Sequence, residues 1–290
     1  MQASGEHSIN IQRFRNQVAA QSHDGALRFY YKELDRPLYC SGENLTIVEL
    51  LEALLDSENI PIHSISHDLQ ERLCRTLGAA YQVTGRPHRS MHILRWSLSS
   101  AESSDSPRTK AIILRYLSRI ALSLGQLKAA EDFIMSGIAA CQEAGEVGLE
   151  TGLRRQLGVL WAYEGQYDKA RVEIDHLPKG FGKHNHSDFS VYADKFLFGL
   201  QDDGESNKIV FYANEMKKLA RKYRFKNDET MAEWSLGSAY LAARDIGKAE
   251  HYLASALALC RVTTYIELEP DILLLTARCS LARDKALLSG

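Results

Sequence analysis

Apolar residues return at helical spacing through the middle two-thirds of the chain, and the residues around them return in step. Residues 157–170 read LGVLWAYEGQYDKA, and forty residues earlier 117–130 read LSRIALSLGQLKAA. Related strings stand at 77–90 (LGAAYQVTGRPHRS) and 236–249 (LGSAYLAARDIGKA). Gly85, Gly125 and Gly165 align, Gly204 follows, and Arg244 takes the equivalent place in the last copy. Each ends a helical stretch as a left-handed residue past a helix C-terminus would. Seven residues before each anchor stands a small residue (Gly78, Ser118, Gly158, Gly237), and four before stands Tyr81, Ala121, Trp161 or Tyr240. Five after stands Ser90, Ala130, Ala170 or Ala249.

These positions have mechanical roles. Antiparallel helices approach to about 8–10 Å only where small residues meet, so Gly or Ser on one helix and Ala or Ser on the next predict a helical hairpin. The aromatic fills the adjoining space. Leu94, Ile134, Ile174 and Leu253 continue the apolar stripe along the second helix. One such pair cannot bury its own apolar face, so successive pairs must stack into a solenoid. Helix starts are expected at Ser106 with Pro107 in the first turn, at Asn227 or Asp228, and at Pro270.

The recurring glycines, small residues and aromatics of 67–268 resemble the tetratricopeptide repeat (TPR) family, in about five helix pairs. The closing proline of that repeat is missing, the period is about forty, and the copy at 187–226 is degenerate. Forty-residue variants look like the helical sensor domains of large bacterial transcription activators, peptide-sensing bacterial receptors and kinesin-light-chain-type cargo adaptors. The resemblance implies an all-α, right-handed superhelical solenoid of stacked antiparallel helix pairs. Residues 1–66 read as an N-terminal helical cap region, with amphipathic helices near 9–20 and 44–57 and breaks at Pro37 and Gly42. Residues 269–290 read as either a capping helix or the first helix of a further pair cut short; Leu273, Leu274 and Leu275 leave both readings open.

Composition narrows the function classes. The hydrophobic fraction is 45% and the charged fraction 25%, ordinary for a folded soluble chain, and the net charge of −2 argues against recruitment by nucleic acid. MQASGEHSIN carries no apolar stretch of a secretory signal, and no apolar run approaches the roughly 18 residues that span a bilayer. Five scattered cysteines with no C-x-x-C form neither a disulfide framework nor a zinc pattern. The expectation is a cytoplasmic protein without membrane attachment or cofactor.

Catalytic motifs are not found. KGFGKHNHS (179–187) has the wrong spacing for a phosphate-binding loop, and no H-E-x-x-H, G-x-S-x-G or kinase signature occurs. His63 with His67, and His88 with His92, have the spacing of a helical metal pair but no third ligand, and His184 and His186 alternate in a loop; all read as surface histidines.

The resemblance points to a ladder instead. The fifth position of the first helix in a TPR pair faces the concave groove, and here it holds Arg75, Arg115 and Arg155, with Lys195 continuing the spacing. Arg72 and Arg119 would lie beside them, and Trp234 takes the equivalent place in the last copy. Guanidinium forks suit carboxylate and phosphate. The competing reading is neutralisation by groove carboxylates such as Glu71 or Asp194, and core packing for Trp234. The asparagine with which TPR domains clamp a chain-terminal carboxylate is replaced by Ala79, Arg119 and Val159. The expected role is a non-enzymatic scaffold or adaptor binding an acidic protein or peptide segment in the groove. The alternative is a ligand- or peptide-sensing regulatory domain of a larger bacterial transcription or signalling protein. Apolar solenoid ends leave room for a homodimer through the terminal helices.

Overall fold

The computed structural model describes residues 2–178, 180–182, 187–202 and 206–289. It is all-α over these residues, with one isolated bridge between Leu55 and Pro61. The chain opens with α1 (Gln2–Ala19) and α2 (His23–Phe29), which runs through a π-helical turn (Tyr30–Leu34) into α3 (Asp35–Ser41), followed by α4 (Asn44–Glu52). Helical hairpins follow: α5 (His67–Val83) with α6 (Pro87–Ser103), α7 (Pro107–Ser123) with α8 (Leu127–Ala144), and α9 (Val147–Tyr163) with α10 (Tyr167–Ile174). Then come α11 (Ser187–Gln201) with α12 (Ser206–Tyr223), α13 (Lys226–Ala242) with α14 (Ile246–Thr263), and α15 (Glu269–Ser289). Each helix packs on its neighbours in sequence, so the molecule is an all-α helical-repeat solenoid. No helix among the described residues is long and apolar enough to cross a membrane.

The small residues hold the hairpins together as expected. A Cβ on Gly158 would lie 2.9 Å from the Ala170 carbonyl oxygen and 3.0 Å from the Ile174 amide nitrogen. One on Gly237 would meet Leu253 at 2.6 Å, and one on Gly78 would meet Leu94 at 3.0 Å. Ser90 donates its hydroxyl to the Gly78 carbonyl across the first hairpin at 2.6 Å. The facing Ser90, Ala130, Ala170 and Ala249 are fully buried. Gly85, Gly125 and Gly165 adopt φ of 71°, 69° and 77°, and Arg244 follows at 61°; Gly204 lies outside the described residues.

Local expectations were met unevenly. Pro107 opens α7 after Ser106, although the serine side chain makes no capping bond. Pro37 does not break the helix: it stands in α3 directly after the π-helical turn Tyr30–Leu34, where the wider turn already departs from the regular ladder that a proline would interrupt. Gly42 does end α3, at φ 73°. α4 stops at Glu52, short of the expected 57, and α1 reaches back to Gln2. α13 begins at Lys226, one residue before the expected cap. Asn227 is used elsewhere.

That use closes the molecule on itself. Asn44, at the start of α4, and Asn227 exchange side-chain amide hydrogen bonds of 3.0 Å in each direction, and both are buried. The Asn44 amide also donates to the Thr263 carbonyl at 2.6 Å. Gly42 packs so tightly that a Cβ would lie 2.6 Å from the Thr263 methyl, and Tyr39 meets Phe225 edge-on at 5.0 Å. Alongside, the Glu267 amide donates to the Val83 carbonyl at 3.2 Å and Gln82 donates to the Glu267 carboxylate at 2.9 Å. The stack of helices therefore comes round until α13–α15 seat against α3–α5. We call this junction the seam.

Candidate functional site

The arginines of the ladder do not share one fate. On α5, Arg75 pairs with Glu71 one turn away at 3.2 Å, and Glu71 also accepts from Thr109 of α7 at 3.0 Å. Arg72 stacks over the Tyr31 ring, 3.6 Å from its centroid, and pairs with Asp35 at 3.5 Å. On α9, Arg155 is 3% exposed. It donates from Nε to Asp194 at 3.2 Å and from Nη1 to the Thr151 and His176 carbonyls, each at 3.3 Å. A buried guanidinium so fully engaged ties α9 to α11 and to the residues after α10.

Lys195 leaves the column. Its ammonium donates to Asp175 at 2.7 Å and borders a cleft of about 480 Å³ with Arg171, Asp202 and Lys208. Trp234 packs edge-on against Phe196 at 5.8 Å and joins the apolar cluster around Phe196 to the one around Leu253. Those contacts account for the ring by packing, and its buried indole nitrogen has no hydrogen-bond partner among the described residues.

Arg115 and Arg119, one turn apart on α7, differ from the rest. Neither makes an ion pair within 4.0 Å or a side-chain hydrogen bond among the described residues. The Arg115 guanidinium lies against Gly152 of α9, where a Cβ would stand 3.3 Å from its central carbon. Burial and the Arg119 charge hold the Arg115 pKa below its usual value. Arg119 keeps an exposed surface although protein surrounds it, which places it in the solvent-reached hollow of the closed stack. Burial opposes its charge, but Tyr265, Tyr116, Glu267 and Asp194 outweigh that and raise its pKa.

The hollow draws on elements far apart in sequence: Tyr39 from α3, Tyr116 from α7, Asp194 from α11, Asp228 from α13, and Tyr265 and Glu267 from the α14–α15 connection. Burial raises the Asp228 carboxyl to about 7 against the lowering pull of Arg119. Burial likewise raises Asp194, opposed by Arg155, Arg115 and Arg119, and Glu267, opposed by its bond from Gln82 and by Arg119. Tyr39 and Tyr265 are raised by burial and stay protonated donors at neutral pH. Arg115 and Arg119, outside any ion pair within 4.0 Å among the described residues, keep guanidinium forks that suit an acidic group, in surroundings where Asp194 and Glu267 already offset their charge.

Sequence reasoning placed Arg115 and Arg119 but missed Tyr39, Tyr265 and Glu267. Those lie outside the repeated pattern and reach the hollow only because the seam closes. The histidine pairs are peripheral. His63 precedes α5, so it shares no helix with His67. His88 and His92 border a cleft of about 270 Å³, where the His92 Nε2 lies 3.1 Å from the Glu58 carbonyl. His184 and His186 lie outside the described residues. No group of three His, Cys, Asp or Glu residues suited to a metal forms among the described residues.

No family model matches the chain, and no curated protein matches it at a significant level. Among solved structures it is similar to BtubC (BKLC) from P. vanneervenii, with 17% sequence identity, 88% of each chain covered and a TM-score of 0.41. A likeness that distant shows neither a family nor a function.

Proposed function

We propose that this chain is a non-catalytic, cytoplasmic TPR-like module with forty-residue repeats that binds an acidic segment of a protein or peptide in its concave hollow. The observation that carries this reading is the pair Arg115 and Arg119, one turn apart on α7 and outside any ion pair within 4.0 Å among the described residues. Arg75 and Arg155, engaged with Glu71 and Asp194, serve as scaffold, and the contact role passes to the two arginines of α7. Charged groups in such a site lend salt dependence to binding.

The test is affinity capture from native lysate at low and high salt, comparing the wild type with Arg115→Gln/Arg119→Gln after circular dichroism confirms the fold. A partner captured by the wild type, weakened by salt and lost in the variant is the expected result. Identical partners from both would remove the hollow from consideration. The seam favours a second reading, a regulatory sensor: a ring closed through one junction can exist open or closed, two states for a signal to choose between.

A further inference from the structure

The second helices of the pairs run 17 or 18 residues, except α10, which stops after eight. The pair that follows it, α11 with α12, is the degenerate copy of the repeat. Such departures from a local rule concentrate at functional sites. Here they flank the cleft of about 480 Å³ between α10, α11 and α12, within the size range of small-molecule sites.

The cleft has two polar ends and an apolar middle. At one end Arg171 of α10 donates from Nη2 to Asp202, just past α11, at 2.8 Å. At the other, Lys195 of α11 donates to Asp175, just past α10, at 2.7 Å. Lys195 and Asp202 are seven residues apart along α11, so the two pairs stand about 10 Å apart. Between them the lining is Ile174, Phe198, Gly199, Ile209 and Tyr212. Ile174 and Ile209 are buried, whereas Phe198 and Tyr212 keep part of their rings exposed.

The ends differ in what they still offer. The Lys195 side chain is only 15% exposed, with its ammonium against Asp175. The Arg171 side chain is 57% exposed and spends only its Nη2 donor on protein among the described residues, so the rest of its fork is open to an acceptor. Asp202, 14% exposed, holds the guanidinium from one edge and fixes its direction. Lys208, in the first turn of α12, lines the cleft as well.

We infer that this cleft binds a small organic anion: an aromatic or aliphatic body bearing one carboxylate or phosphate. The anionic group takes the open edge of Arg171, and the body lies along Phe198, Ile209 and Tyr212. None of the lining residues belongs to α7, so the inference stands independently of a partner in the hollow.

The test titrates the full chain at constant ionic strength with 3-phenylpropionate and with phenyl phosphate. The uncharged counterpart is 3-phenylpropionamide, and acetate is the counterpart without a body. Calorimetry reads affinity and amide hydrogen exchange reads place. The expected result is saturable binding of at least one of the two aromatic anions, with exchange slowed around 171–175, 195–202 and 208–212. The amide should bind about tenfold more weakly, the loss of a charge-assisted hydrogen bond. Acetate should bind roughly a hundredfold more weakly, the loss of a buried ring. Arg171→Gln, at an exposed side chain, should weaken the anions about as much as the amide is weakened. Arg261→Gln, which removes an exposed arginine outside the cleft, should titrate like the wild type. Preference for either anion supports the inference and names the group. It is overturned if neither anion saturates, if acid and amide bind alike, if Arg171→Gln titrates like the wild type, or if the slowed exchange falls elsewhere. None of these failures touches the capture of partners through Arg115 and Arg119.

Discussion

Arg244 holds φ at 61° and Thr264 at 54°, in a region where a Cβ crowds the backbone. They complete two series. The first helices of the pairs turn at Gly85, Gly125, Gly165 and Arg244; the second helices turn at Asp105, Gly145, Arg224 and Thr264, each series stepping by about forty residues with one step of about twice that. Only the first series was legible in the sequence, because glycine marks it. In the second, Asp, Arg and Thr adopt the same backbone, and nothing in their side chains announces it. Arg244→Gly should therefore stabilise the chain by about 1 kcal/mol in urea unfolding, as a residue free to adopt positive φ replaces a strained one. The small positions respond in the opposite sense. Gly158→Ala should destabilise by about 1–3 kcal/mol, since the new methyl meets the backbone of α10 rather than a movable side chain. A stability unchanged by that substitution would mean the hairpin is looser than its geometry.

At the scale of elements, helix pairing was readable because each pair repeats the same local solution, glycine or serine against alanine beneath an aromatic. The exceptions come where an element answers to a distant one. Asn227 has the composition of a helix cap, yet α13 starts before it and the side chain reaches across to Asn44, 183 residues away in sequence. No local pattern could reveal that. Asn44→Ala would leave the Asn227 side-chain amide buried without its partner and remove one of the two donors to the Thr263 carbonyl, which keeps the Thr264 hydroxyl, at a cost of about 1–3 kcal/mol. Hydrogen exchange should locate the loss at α3–α4 and the end of α14, with the α7–α8 hairpin unaffected. Faster exchange spread evenly over the molecule would show that the seam is not a separate unit.

For the whole molecule, the enclosed carboxyls set the pH response. Asp228 faces Arg119 from α7, Tyr39 from α3 and Tyr265 from the α14–α15 connection. With its carboxyl raised from 3.8 to about 7, the folded chain holds a proton that the unfolded chain has released, so stability falls as pH climbs between these values. Asp194 and Glu267 act in the same direction. Denaturant midpoints should thus be higher near pH 5.5 than near pH 7.5, by on the order of 2 kcal/mol in free energy. Asp228→Asn should flatten that slope. A slope that survives the substitution would shift the effect to its neighbours.

An open stack of helical hairpins can grow or shrink by duplication, because each added unit needs only the face of the one before it. A stack whose last members must meet its first has no such freedom. Asn44 finds Asn227, and Gln82 finds Glu267, only after a fixed number of turns of fixed pitch. One hairpin more or fewer would carry each past the other. The seam makes the molecule count, and a lineage that keeps it is held to a set number of repeats however freely their sequences drift.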